Sequence, residues 1–289
     1  MPDRYHPALD GLRALAILAV MWHHAVSGLP AWWQGGDQGV DLFFVLSGYL
    51  ITALLRRDGD LKRFYARRVL RIFPLYYAVL TVYVVLMRGA GGPRADAFFA
   101  VLPAYLTFTA NWVVHRPWPP FYLAWSLATE EQFYLVWPFI LRVLGRYAWV
   151  ALAVGLFVAN PAICIGAALA LVPLPRFRPG TGSVALCLLG VSLALPVPEV
   201  ARYVVMGLVV VTSVAAPARW LASAPMRWVG KLSYATYLTH MLVLHILRDV
   251  LHIPGGPLLF LSLVPGALAF AWGAHVFIER PFLRLKARV

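Results

Sequence analysis

Two ionisable side chains, Arg13 and His24, lie inside one apolar stretch, LDGLRALAILAVMWHHAV. A group that can carry charge is costly to bury in a membrane span, so such residues mark a polar site built by the protein rather than simple packing. Eleven residues at about 100° each make three turns plus roughly 20°, which puts Arg13 and His24 on one helix face, roughly 16 Å apart along the axis. His23 points about 80° off that face, which favours His24 as the working residue. An imidazole there can take a proton as a general base or attack as a nucleophile.

A second set of candidates lies in AWSLATEEQFYLVWPF, where Glu130 and Glu131 stand beside Trp125, Tyr134 and Trp137 at the start of another apolar run. Adjacent carboxylates on a helix point about 100° apart, so at least one tends to face the protein interior. The aromatics alone would fit an interfacial belt. In GVDLFFVLSGYLIT, Asp41 opens a span and Ser47 and Gly48 interrupt it; solvation of Asp41 at the interface and close helix packing at Gly48 are the competing readings. Asp10 and Ser126 complete the candidate set. His240 and His245 lie five residues apart on different faces, His275 stands alone, and His115 and His252 read as loop or interface residues. No His or Cys cluster has the spacing of a metal site, so none is expected. Cys164 and Cys187 read as packing residues.

The elements that position these groups are membrane helices. Hydrophobic residues make up 61% of the 289 and charged residues 13%, a balance outside that of soluble domains. Apolar runs near the roughly 20 residues of a span occur at about 8–28, 38–55, 72–88, 98–114, 122–141, 148–172, 183–195, 201–216, 232–251 and 257–279. The expected fold is therefore all-α: a polytopic integral membrane protein of about ten transmembrane helices forming a single domain over residues 1–289, with no appended soluble domain. The first run is too long, and too well continued by further spans, for a cleaved signal.

The net charge of +13 is read as basic loops beside anionic lipid rather than as a nucleic-acid surface, and no nucleic acid partner is expected. The loop RRDGDLKRFYARRVLR concentrates Arg56, Arg57, Lys62, Arg63, Arg67, Arg68 and Arg71 against two aspartates, which places it, and both termini, in the cytoplasm. Arg176, Arg178, Arg219, Arg227 and Lys231 agree with that orientation. Arg142 and Arg146 do not, which points to a re-entrant 98–114 segment and a shifted middle of the topology.

Six segments carry a resemblance: YHPALDGLRALAILAVMWHHA, GVDLFFVLSGYLIT, FYARRVLRIFPLYY, WSLATEEQFYLVWP, VGKLSYATYLTH and IERPFLR. In this order they resemble the acyltransferase family 3 membrane proteins, bacterial-type enzymes that move acyl groups, usually acetyl, from acyl-CoA to carbohydrate or cell-surface acceptors. The resemblance implies that His24 is catalytic with Arg13 as its partner, that Arg68 and Arg71 engage the acyl donor, and that Glu130 and Glu131 form the family's acidic pair. His23 departs from the aromatic or aliphatic residue more usual there, and the segments between about 145 and 230 are compact for the family.

Read this way, a neutral imidazole would take the proton of an acceptor hydroxyl as it attacks the thioester, or would itself carry the acyl group. Arginine forks suit the phosphates of CoA, with Arg67 beside Arg68 and Arg71. The implied partners are an acyl-CoA co-substrate, acetyl-CoA first, a carbohydrate or lipid-linked glycan acceptor, membrane lipids and a separate envelope protein. No tightly bound cofactor is expected. A carrier or flippase for a lipid-linked or acylated substrate is the second class, because intramembrane Arg, His and Glu also line transport paths.

Overall fold

The computed structural model describes residues 5–26, 38–114, 119–173, 177–195 and 197–286; His115 and Arg176 lie outside them. Every regular element among the described residues is helical. Thirteen α-helices follow in chain order: α1 (Pro7–Ala25), α2 (Gln38–Arg57), α3 (Leu61–Ala90), α4 (Gly92–Leu106), α5 (Ala110–Val113), α6 (Ala124–Leu144), α7 (Ala148–Val158), α8 (Pro161–Leu171), α9 (Thr181–Ala194), α10 (Glu199–Ala215), α11 (Ala224–His245), α12 (Pro257–Ala274) and α13 (Arg280–Lys286). Two π-turns, Ile246–Val250 and His275–Glu279, extend α11 and α12.

Among the described residues, four helical stretches are long and apolar enough to cross a membrane: Gln38–Arg57, Leu61–Ala90, Ala124–Val158 and Pro257–Leu285. Two of the other expected spans take other forms. The run 98–114 is displaced to α4, whose 15 residues reach about 22 Å, short of a hydrocarbon core of about 30 Å. The run 148–172 is two helices instead of one. Asn160 ends the first stretch and caps the second, its side chain accepting the Ile163 N–H at 3.2 Å, and Pro161 occupies the first turn, where a missing N–H costs nothing.

Other boundaries follow the same local chemistry. Pro7 opens α1. Asp60 caps α3 by accepting the Arg63 N–H at 3.1 Å, and Gly91, at φ +62°, closes it.

The helices form two compact units, one from residues up to Arg57 with Arg146–Trp272, the other from Asp58–Gly145 with the segment from Gly273. In the first, α1 packs against α11, α2 and α10, and α2 packs against α8. Its core includes Leu12, Ile17, Val20, Met21, Phe44 and Leu46. The contact between α1 and α11 is backbone to backbone: a Cβ on Gly230 would collide with the carbonyl of Asp10. Gly48 does similar work, lying against the Ile163 carbonyl of α8, so the packing reading of that residue holds. Arg56 donates to the Ala170 carbonyl at 2.7 Å, satisfying an end carbonyl of α8 in addition to any role in topology.

The second unit is centred on aromatic rings. Tyr76 stacks on Phe108 at 4.4 Å and Phe121 lies 5.0 Å from Tyr83. The Tyr76 hydroxyl donates to the Tyr105 carbonyl at 2.7 Å. In the same unit His275 pairs with Glu279, one turn further along, at 2.5 Å.

Candidate functional site

Each unit gathers its own polar cluster. In the first, α1 carries two separate groups. Near its start, Arg13 donates to Asp10 Oδ1 at 2.9 Å and Tyr5 donates to Asp10 Oδ2 at 2.5 Å. Asp10 is only 6% exposed, so its carboxylate is held by a cation on one oxygen and a phenol on the other, as a buried charge requires. Near its end, His24 meets α11. The His24 Nδ1 lies 2.9 Å from the Val20 carbonyl oxygen and 3.2 Å from Nε2 of His240. His240 is fully buried, and its Nδ1 lies 2.8 Å from the Tyr237 and 3.1 Å from the Thr236 carbonyl oxygens.

Arg13 and His24 thus share a helix and a face but have different partners. The guanidinium bonds Asp10, and the imidazole lies against His240, which spacing did not reveal, and against the ring of His23 at 5.3 Å. Spacing along the chain puts His240 and His245 on different faces and supplies His240 with no partner. Its partner is 216 residues away. A local signal exists in SYATYLTH: Ser233, Thr236 and His240, at spacings of three and four, form a polar stripe on one face of α11, and all three are buried.

In the second unit, α3 and α6 hold the other candidates. The Arg68 guanidinium lies 5.2 Å from the centroid of the Tyr134 ring and 5.7 Å from that of Phe64, distances at which cation–π attraction operates. The Tyr134 hydroxyl donates to Glu130 Oε2 at 3.2 Å. Arg68, Tyr134 and Glu130 therefore form one chain of contacts. Glu131 Oε1 and Arg67 Nε are buried without a hydrogen-bond partner among the described residues. Arg71 is half-buried on α3.

Beside this chain sits a pair that sequence reasoning missed. The Gln132 and Asn111 side-chain amides exchange two hydrogen bonds, at 2.8 and 3.1 Å, and Gln132 also donates to the Phe108 carbonyl at 2.8 Å. Phe108 has φ +54°, a costly backbone for a bulky residue, and the amide pair and ring stack hold it there.

The remaining candidates lie on α2 and at the start of α6. The Ser126 hydroxyl donates to the Leu123 carbonyl at 3.0 Å and serves the start of α6. Asp41 is half-buried in the first turn of α2, where a helix N-terminus favours a carboxylate. Ser47 is half-buried on the same helix. Among the described residues no group of three or more His, Cys, Asp or Glu could hold a metal ion.

A family model describing an acyltransferase domain matches residues 6–177. The peptidoglycan O-acetyltransferase OatA of Listeria monocytogenes is 29% identical over 86% of this chain and 51% of its own length. YrhL of Bacillus subtilis is 39% identical over 50% of this chain and 25% of its own. The chain therefore spans about half or less of the length of these curated relatives. No solved structure matches it.

Proposed function

Because this chain belongs to acyltransferase family 3, we propose that it is a multi-pass enzyme of the plasma membrane that transfers an acyl group, acetyl first, from acyl-CoA to a hydroxyl of a cell-envelope carbohydrate. The acceptor class is suggested by the Listeria relative, named for peptidoglycan O-acetylation. His24 is the catalytic group. The observation that carries this is an imidazole inside an apolar helix whose Nδ1 is held on two sides, by Val20 and His240. A ring so fixed is oriented to act at its other nitrogen.

A sugar hydroxyl is a poor nucleophile near neutral pH, and removing its proton as it attacks is worth about 10² to 10⁴ in rate. The same ring could receive the acyl group directly and pass it on. Arg68 and Arg71, with Arg67, are proposed to bind the phosphates of CoA from the cytoplasmic side, guanidinium forks being suited to phosphate. Glu130 and Tyr134 orient Arg68. No tightly bound cofactor is needed; the acyl-CoA is a co-substrate.

The test is turnover. Purified protein in lipid nanodiscs, supplied with labelled acetyl-CoA and soluble peptidoglycan glycan fragments, is expected to consume the thioester and yield an alkali-labile ester on the glycan. His24→Ala should abolish both. Transbilayer flux of an acylated substrate without thioester cleavage would replace the enzyme by a carrier.

A further inference from the structure

Resting on the reading of His24 as the catalytic group, we infer that His240 is a positioning residue that holds His24 in the tautomer with its hydrogen on Nδ1, so that Nε2 is the atom that reacts. The assignment follows from what each neighbour can do. The Nδ1 of His240 faces two backbone carbonyl oxygens, at 2.8 and 3.1 Å. Carbonyls only accept, so Nδ1 carries the hydrogen and the Nε2 of the neutral ring is a lone pair.

That lone pair lies 3.2 Å from Nδ1 of His24, which also lies 2.9 Å from the Val20 carbonyl. Val20 and His240 therefore both present acceptors to His24 Nδ1. Nδ1 must be the donor, shared between them, and the basic nitrogen of the neutral ring is Nε2. The other tautomer would set His24 Nδ1, as a lone pair, against two further lone pairs in an apolar interior, where an unmade hydrogen bond is most costly.

His240 thus has the place that a buried carboxylate has behind the histidine of a hydrolase triad, with a neutral acceptor in place of an anion. When the acceptor oxygen attacks the thioester carbonyl, its proton passes to Nε2 of His24. The carbon–sulfur bond then breaks and the leaving thiolate takes that proton, so the ring ends neutral as it began. In between, the imidazolium keeps its Nδ1 hydrogen between Val20 and His240, and no proton needs to move to His240.

The experiment combines a spectroscopic and a kinetic arm on the full chain in nanodiscs. Nitrogen-15 NMR of protein labelled in histidine, with His24→Gln to assign the signal, is expected to find the His24 hydrogen on Nδ1. Finding it on Nε2 in the unsubstituted protein overturns the inference whatever the variants do. His240→Ala is expected to lower kcat on the order of 10²-fold, less than the ~10⁴ loss on disabling a carboxylate partner, with KM for acetyl-CoA little changed. His240→Gln, whose amide oxygen can accept, should recover most of kcat. Equal losses in both variants, following a shared drop in melting temperature, would mean packing alone and overturn it. Activity surviving in His24→Ala would instead remove the catalytic reading of His24 while leaving the tautomer result standing.

Discussion

Asp10 and Arg13 illustrate how a residue singled out for chemistry can have a structural partner first. With Asp10 nearly buried and Arg13 30% exposed, removing Arg13 takes from a buried carboxylate the cation it bonds, and removing Asp10 takes from Arg13 its bonded anion. Asp10→Ala and Arg13→Ala should each destabilise the detergent-solubilised protein, and the double variant should lose less than their sum, a coupling of about 1–3 kcal/mol. A double-mutant cycle on unfolding measures it, and strictly additive losses would separate Arg13 from Asp10. Arg71 makes the opposite case, since its proposed partner is the substrate. Arg71→Ala should weaken acetyl-CoA binding several-fold at low ionic strength, and the gap should narrow toward 1 M salt, where screening acts within about 3 Å. Titration calorimetry at two salt concentrations reads it; equal affinities at both would exclude phosphate contact by this side chain.

At the scale of helices, the crossing of α1 and α11 decides whether His24 and His240 meet. Gly230 is the tight point, because the atom opposing any added Cβ belongs to the backbone of Asp10 and cannot rotate away. Gly230→Ala should therefore cost about 1–3 kcal/mol, as overpacking does, and lower activity by moving His240 from His24. Gly190→Ala in α9, where a Cβ would meet open space, should be neutral or gain up to about 1 kcal/mol from helix propensity. Melting temperatures of the two variants check the contrast. Such crossings set the limit of what the sequence discloses. The apolar runs that become α2, α3, α6 and α12 were legible because hydropathy is local. The break at Asn160–Pro161 was equally local, a cap followed by a proline, yet a continuous apolar count passed over it. The His24–His240 pair was not legible, because spacing orders residues along one helix and says nothing about which helix lies opposite. The resemblance marked Arg68 and Glu130 in separate motifs, but their link through Tyr134, like the Gln132–Asn111 pair, joins different helices and was not legible either.

For the whole molecule, charge placement is the remaining guide to orientation. Arg142 and Arg146 conflicted with an alternating ten-span scheme, and the short α4, followed by the single turn of α5, falls where that scheme demanded a full crossing. The proposed cytoplasmic position of the loop at Asp58–Asp60 does not depend on resolving that region. It rests on α3, which is long enough to cross and carries Lys62, Arg63, Arg67, Arg68 and Arg71 toward one end and few charges beyond; basic residues flanking a span are retained on the cytoplasmic side. Gly59 and Arg94 are exposed residues flanking the two ends of α3, so cysteines placed there report on opposite faces of the membrane. In a background with Cys164 and Cys187 replaced by alanine, a membrane-impermeant maleimide should label Arg94→Cys in intact cells and Gly59→Cys only after permeabilisation. The reverse pattern would invert α3, and the arginines proposed to hold CoA phosphates would then face away from the compartment that contains CoA.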